Sequence, residues 1–173
     1  MMAEAFTVRV ATPNDAEPIG TLLRACYPRL IPAGYPADIL ARALSLITSP
    51  NPALLRSGTY YLAEKPDGTF AGCGGWTFER PGAAGVPIDP KRGHIRHFAT
   101  HPDCIRRGVG RALFERCVAD AQPSGVRQFE CYSSLVSERF YRALGFVRLE
   151  PITIALGPGI TFPSIRMICS LAG

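Results

Sequence analysis

The chain has 173 residues, of which 47% are hydrophobic and 19% are charged, and its net charge is +5. This length and balance suit one compact domain with a substantial core, so we expect a single domain over residues 1–173. The positive charge is compatible with an anionic ligand, but the chain lacks the dense basic stripe of a nucleic-acid binder, and nucleic acid is not an expected partner.

No apolar run approaches membrane-spanning length, and the amino terminus lacks a basic and then apolar leader. Six widely spaced cysteines form no Cys-x-x-Cys pair and have no metal-site spacing to histidine, so no metal is expected. They are Cys26, Cys73, Cys104, Cys117, Cys131 and Cys169. We therefore expect a cytoplasmic protein without a membrane partner, whose thiols are reduced and buried as small hydrophobic groups.

The first part of the chain predicts a strand and two helices. Apolar and polar residues alternate from Phe6 to Val10, as in a half-buried strand. The run Thr12–Asp15 is typical of a helix start. The apolar stripe of that helix is Ile19, Leu22, Leu23 and Cys26. Prolines and a glycine from Pro28 onward predict an irregular loop, followed by a second helix over Pro36–Thr48.

The middle of the chain predicts three strands. Residues 59–64 and 70–78 are apolar runs joined by a turn at Pro66–Gly68, which indicates a hairpin. A loop rich in proline and glycine follows at residues 80–93. The next strand is expected over His94–Thr100.

The last part of the chain predicts two helices and three strands. A helix over Val109–Gln122 carries apolar residues at core spacing, and a strand follows over Val126–Tyr132. The pattern then indicates a helix over Ser134–Leu144, ended by a glycine. The final strands are Phe146–Leu156 and Ile165–Leu171. The last of them could pair with a second copy of the chain, giving a homodimer, or lie inside the sheet.

The order β-α-α-β-β-β-α-β-α-β-β indicates an α/β domain with a mixed sheet. Within it, the loop between the fourth strand and the third helix contains Gly108 and Gly110. Glycine lets the backbone turn so that its N–H groups can point at a ligand, and a helix amino terminus adds unpaired N–H donors and partial positive charge. These features favour an anion, most often a phosphate.

Three arginines reinforce this loop: Arg106, Arg107 and Arg111. The guanidinium group matches the geometry of phosphate oxygens. A lone Gly-x-Gly is a weak signal. It is not a Walker A loop, because no Gly-Lys-Ser/Thr follows, and Leu113 stands where a dinucleotide fingerprint needs its third glycine.

A second motif lies about thirty residues later, at Phe140–Phe146. Together the two motifs resemble the GNAT superfamily of acyl-CoA-dependent N-acetyltransferases. The family's Gln/Arg-x-x-Gly-x-Gly/Ala signature falls on Ile105–Gly110, and its aromatic-Tyr-x-x-Leu-Gly-Phe run falls on Phe140–Phe146. The resemblance implies a mixed central sheet of about six to seven strands flanked by about four helices, with acetyl-CoA (coenzyme A) as cofactor.

The resemblance also implies which residues hold the cofactor. Main-chain groups at the end of the fourth strand would pair with the pantetheine arm, and N–H groups of the glycine-containing loop would hold the pyrophosphate. The expected residues are Phe98, Ala99, Thr100, Ile105, Arg106, Arg107, Gly108, Val109, Gly110, Arg111 and Ser134. Ile105 replaces the family's Gln/Arg, and Ser134 replaces an Asn with a shorter side chain.

The implied reaction is direct attack of an amine on the thioester. Such a reaction needs a neutral amine, donors for the oxyanion and a proton for the leaving thiolate. The family position makes Tyr141 the expected proton donor. His94 and His97 lie where the family often places an acidic base, on opposite strand faces unless a bulge intervenes. Glu79 and Glu130 are reserve candidates that would act through water.

The acceptor side is built from the first helices and the final hairpin in this family. Its aromatic candidates are Tyr27, Tyr35, Trp76 and Phe162. Few acidic residues occur in that region, which argues against a polycationic acceptor. We expect a small amine or amino-acid-like metabolite, or a peptide amino terminus. The departures at Ile105 and Ser134, with the missing acidic base, leave a non-catalytic acyl-CoA-binding or sensor domain as the alternative.

Overall fold

The strands of the sheet and the helices that cover it come from the whole length of the chain, of which the computed structural model describes residues 5–83 and 85–172. Within those residues, the sheet has seven strands: β1 (Thr7–Val10), β2 (Tyr60–Glu64), β3 (Phe70–Thr77), β4 (Arg92–Thr100), β5 (Gln128–Ser134), β6 (Val147–Gly157) and β7 (Ile160–Ser170). The helices are α1 (Ala16–Leu30), α2 (Ala37–Ile47), α3 (Pro52–Arg56), α4 (Val109–Ala121) and α5 (Glu138–Ala143). The spatial order β1-β2-β3-β4-β5-β7-β6 confirms the predicted mixed α/β sheet.

The predicted elements are present, with one addition. Helix α3 was not predicted, because its five residues are too short to show a period. The Asn51 side chain caps it by accepting a hydrogen bond from the Ala53 amide at 2.9 Å.

Several boundaries shift by one or two residues, and three differ by more. Helix α1 continues through Pro28, where a loop was expected, because burial of Ile31 just beyond it fixes the last turn. Helix α5 begins later than expected, since Ser134 still belongs to β5 and pairs with Ser164. Strand β7 begins earlier, at Ile160, because the tight hairpin pairs that residue with Gly157.

Two helices cover opposite faces of the sheet. Helix α1 packs its predicted stripe against one face, whereas α4 packs against the other. Strand β2 shows the division: Tyr60 and Leu62 lie in the α1 cluster, and Tyr61 and Ala63 lie in the α4 cluster. This alternation places both faces of β2 and β3 in the core.

Strand β7 pairs with β5 on one side and with β6 on the other. The last strand is therefore internal, and it has no free edge to pair with a second copy of the chain. All six cysteines of the sequence are buried, as predicted. No helix in the described part of the chain combines the length and the apolar character that spanning a membrane requires.

Strands β4 and β5 are parallel neighbours that separate. They pair from Arg92 opposite Gln128 to His94 opposite Glu130. Beyond His94, β4 continues along β3 while β5 continues along β7. The two strands thus diverge, and the gap between them forms the candidate site.

Candidate active site between two diverging strands

The gap between β4 and β5 is a cleft of about 580 Å³, within the range of roughly 300–1,000 Å³ that is usual for small-molecule sites. Its walls are β4 from Ile95 to Thr100, the loop before α4, the end of β5, and α5. Residues of α1 and of the β6–β7 hairpin close the other side. The cleft therefore unites the two sequence motifs, which lie about thirty residues apart in the chain.

A bulge in β4 shapes the cleft. Gly75 pairs with Arg96 and Cys73 pairs with Ala99, so two residues of β4 lie opposite Gly74. His97, one of those two residues, has a φ of 44°, in the left-handed region that non-glycine residues rarely adopt. Backbone strain of this kind is concentrated at functional sites.

The bulge also changes which face the following side chains occupy. Ile95 packs in the cluster under α4, whereas Ala99, four residues later, packs in the cluster under α1. On a regular strand those two residues would share a face. The prediction that His94 and His97 lie on opposite faces assumed an unbroken strand. Because β4 is bulged at His97, that prediction does not hold for this strand.

Two tyrosine hydroxyls hold the bulge. Tyr60 donates a hydrogen bond to the His97 carbonyl at 2.9 Å, and Tyr27 donates to the Phe98 carbonyl at 3.1 Å. The two tyrosines come from β2 and α1, far from β4 in the sequence. Tyr27 was expected at the cleft as an aromatic lining residue, whereas Tyr60 was not, because a strand tyrosine in the core carries no local functional signal.

The two candidate bases lie in different environments. His97 lines the cleft, and burial together with the neighbouring Arg96 charge lowers its pKa to about 4. His94 is not among the described residues that line the cleft; its Nδ1 lies 3.6 Å from Glu130 Oε1, and burial lowers its pKa to about 4 as well. Both imidazoles are therefore neutral near pH 7, and His97 is the one that reaches the cleft.

The reserve carboxylates differ in a similar way. Glu130 is only 2% exposed, and Arg166 binds it through Nε at 2.9 Å and Nη2 at 2.8 Å. Its negative charge is therefore already paired. Glu79 is exposed beyond the end of β3.

Tyr141 lines the cleft from α5 and is only 8% exposed. Its ring packs edge-on against Phe140 and Phe146, at centroid distances of 5.0 and 5.4 Å. Burial raises the pKa of its hydroxyl well above the ordinary value, so the phenol stays protonated. The hydroxyl makes no hydrogen bond to another of the described residues, which leaves its proton available to a ligand.

The loop before α4 and the first turn of that helix contain two glycines that are needed for different structural reasons. Gly108 has a φ of 80° and caps the helix, and a Cβ there would meet nothing within 4 Å. At Gly110 the backbone lies too close to Phe140 for a side chain, because a Cβ there would stand 2.6 Å from the Phe140 ring. Arg106 also adopts a left-handed φ, of 62°. Arg106 and Gly108 thus both have positive φ angles, and Gly108 directly precedes α4. Main-chain N–H groups in such a turn, and in the first turn of a helix, have no intrahelical partners, as a phosphate site requires.

The remaining predicted cofactor residues surround this loop. Arg106 and Arg111 line the cleft, and Arg111 also donates to the Ala143 carbonyl at 3.1 Å. Arg107 lies at a small neighbouring pocket. The Ile105 side chain is 51% exposed at the cleft. The Ser134 hydroxyl lies 2.7 Å from that of Ser137.

The aromatic acceptor candidates separate into two groups. Tyr27 and Phe162 line the cleft. Tyr35 is buried beside it: its ring stacks on Phe162 at 4.3 Å, and its hydroxyl donates to the Pro163 carbonyl and accepts from the Leu135 amide. Trp76 is 2% exposed in the α4 cluster, so it packs in the core rather than in the cleft.

Comparisons with known proteins were made for the sequence and for the fold. The model of the acetyltransferase (GNAT) family matches residues 17–146, which is more than half of the chain. No curated protein matches the sequence.

Solved structures resemble this fold closely at low sequence identity. A GCN5-related N-acetyltransferase from Rhodopseudomonas palustris has a TM-score of 0.73 at 20% identity, over 99% of each chain. The PaiA N-acetyltransferase of Thermoplasma acidophilum, solved with coenzyme A, has a TM-score of 0.72 at 14% identity, over 96% of this chain and 99% of its own. The N-acetylglutamate synthase of Neisseria gonorrhoeae, solved with coenzyme A and N-acetyl-glutamate, has a TM-score of 0.62 at 16% identity, over 98% of this chain and 36% of its own.

Proposed function

The chain belongs to the acetyltransferase (GNAT) family, and on that premise we propose that it transfers an acetyl group from acetyl-CoA to a primary amine. The acceptor is a small metabolite or a peptide, and the amine attacks directly while both substrates are bound. One observation carries the proposal: the cleft between β4 and β5 brings the glycine-containing loop, the strained His97 and the protonated Tyr141 to one continuous surface.

The residues of the cleft fit coenzyme A. The loop from Ile105 to Arg111 offers main-chain N–H groups and guanidinium groups to the pyrophosphate. Where β4 has left β5, the main chain of Phe98–Thr100 offers an extended edge along which the pantetheine arm can pair as an added strand. Ser134, at the end of β5, adds a hydroxyl to the same cleft.

Acetyl-CoA supplies an activated thioester carbonyl, which only a neutral amine attacks. A lysine-like amine has a pKa of about 10.4, so most of it is protonated at neutral pH. We assign the removal of that proton to the imidazole of His97, directly or through a water molecule. Burial and Arg96 keep this imidazole neutral, so a ring nitrogen is unprotonated at the cleft when the acceptor binds. His94 remains the second candidate base; its Nδ1 lies 3.6 Å from Glu130 Oε1, and it is not among the described residues that line the cleft.

We assign the proton for the departing sulfur to the Tyr141 hydroxyl. Its raised pKa keeps the phenol protonated, so the hydroxyl donates a hydrogen bond to the sulfur as negative charge develops there and the proton lies on the path to the departing group. The hydroxyl needs no rearrangement to donate, since no hydrogen bond to the described part of the protein has to break.

Titration calorimetry with coenzyme A tests cofactor binding first. A screen then tests turnover: acetyl-CoA is mixed with amines and peptides, and the free thiol that is released is measured. Tyr141→Phe should lower kcat by about 10²- to 10⁴-fold with coenzyme A affinity nearly unchanged. Tyr61→Phe is the matched control: its hydroxyl binds Asp120 at 2.8 Å outside the cleft, so turnover should not change.

Two outcomes would overturn the proposal. If coenzyme A gives no heat of binding, it is not the cofactor of this protein. Tight binding of coenzyme A without turnover of any acceptor would instead favour a non-catalytic acyl-CoA sensor.

A further inference from the structure

Arg96 presents an unusual guanidinium in the wall of the cleft. It lies on β4 immediately before the bulge. Its Nη1 donates a hydrogen bond to Thr77 Oγ1 at 2.9 Å. Nη1 also donates to the Glu79 carbonyl at 3.5 Å. Nε has no hydrogen-bond partner but is buried out of reach of solvent, whereas Nη2 makes no hydrogen bond to another described residue and is not closed off in this way.

Nη2 is therefore the nitrogen of Arg96 that a ligand can reach. Its N–H groups can donate charge-assisted hydrogen bonds to a carboxylate. The bond from Nη1 to Thr77 fixes the orientation of the guanidinium. Burial lowers the pKa of Arg96, because its surroundings disfavour the charged form. An anionic ligand at Nη2 would offset that cost.

No carboxylate of the described residues forms an ion pair with Arg96. The buried Glu130 is held by Arg166 and lies near Arg92, which is 3.8 Å away. Glu79 is exposed; its carbonyl accepts a hydrogen bond from Arg96, and its charge raises the pKa of Arg96 against the lowering by burial. Arg96 therefore remains open to an anionic group of a ligand.

The position of Arg96 separates it from the phosphate loop. Arg96 precedes the bulge, whereas Gly108 and Gly110 follow the far end of β4. An anion at Arg96 is therefore on the acceptor side of the reacting centre. The opposite wall there is apolar and is formed by Ile47, Ile154, Leu156 and Phe162.

We propose that the acceptor is an amine that also carries a carboxylate, which binds Nη2 of Arg96, and that the rest of the acceptor is apolar. This inference rests on the proposed acetyltransferase function, since it names the substrate class of the same site. Apolar α-amino acids are the simplest members of that class.

The test compares matched pairs that differ only in charge. With coenzyme A present, calorimetry measures the binding of N-acetyl-L-leucine and N-acetyl-L-phenylalanine, and of their neutral amides. The acids should bind about tenfold more tightly or better, because a hydrogen bond to a charged group is worth about 1.5–3 kcal/mol, and 1.4 kcal/mol is tenfold. Arg96→Gln should reduce the acids to the affinity of the amides. Arg56→Gln, an exposed site outside the cleft, should leave the difference intact.

Turnover of free leucine and leucinamide gives the second measurement. Arg96→Gln should raise KM for leucine and leave KM for leucinamide unchanged. Equal binding of acid and amide to the unmodified protein, or no binding of any pair, would overturn the carboxylate site. Selective binding of the acids without turnover of any amine would support the carboxylate site and overturn the transferase. Equal turnover of acids and amides would support the transferase and overturn the carboxylate site.

Discussion

Replacing His97 by Asn tests the assignment of a buried, neutral base. Asparagine tolerates the left-handed backbone that His97 adopts at a φ of 44°, and it does not titrate. In the unfolded chain a histidine has a pKa of about 6.5, whereas in the folded protein that of His97 is lowered to about 4. The unfolded state therefore binds the proton more readily, and the folded protein loses stability as the pH falls from about 6.5 towards 4.

The size of this loss follows from the two pKa values. Between pH 7 and pH 5, one histidine shifted in this way lowers the free energy of unfolding by about 2 kcal/mol, and above pH 7 it has no effect. His94, which is shifted in the same direction, contributes equally to the parent protein and to His97→Asn. The difference between those two proteins thus isolates His97.

Urea unfolding at pH 7, 6 and 5, followed by the fluorescence of the single tryptophan, measures the difference. We expect His97→Asn to lose about 2 kcal/mol less than the parent over that interval. His101→Asn is the matched control, because it makes the same replacement at a histidine that is not among the described residues lining the cleft. A parallel loss in the parent and in His97→Asn would show that His97 is solvated and would remove it as the buried base.

Three further substitutions test the packing around the cleft. Gly110→Ala should lower the free energy of unfolding in urea by about 1–3 kcal/mol, because its Cβ would stand 2.6 Å from the Phe140 ring. Adding Phe140→Leu should recover most of the loss. If nothing is recovered, the clash is not the cause. Gly108→Ala should cost about 1–2 kcal/mol through its φ of 80° alone, so Phe140→Leu should not relieve it. Arg166→Met should lower the free energy of unfolding by about 3 kcal/mol, because it leaves the buried Glu130 without the guanidinium that pairs with it. Adding Glu130→Leu should restore stability. If Arg166→Met alone is as stable as the parent, the ion pair is dispensable.

Much of the fold could be predicted because its signals are local. The alternation at residues 59–64 and 70–78 and the turn between them depend on neighbouring residues, so β2 and β3 were found nearly to their ends. Helix α3 and the start of α5 were missed or misplaced. Their ends are set by a short cap and by the pairing of Ser134 with Ser164, which a local pattern does not contain.

The candidate site divides in the same way. The phosphate loop was visible in the sequence, because Gly108 is needed for a local backbone angle. The second glycine, Gly110, was predicted as a residue that lets the backbone turn. In the structure, its lack of a side chain also makes room for the ring of Phe140 from another helix. Arg96 was missed as a ligand group, because nothing in its neighbourhood along the chain shows that the fold places it in the wall of the cleft.

By itself, the sequence determined the order of the elements, the loop at the start of α4 and the family resemblance, since each depends on residues within a few positions of one another. The tertiary structure decided which groups reach the cleft. The register between β3 and β4 creates the bulge at His97, and the divergence of β4 from β5 opens the space beside it. Burial by distant helices then keeps His97 and Tyr141 uncharged, because desolvation depends on what surrounds a side chain in space and not along the chain.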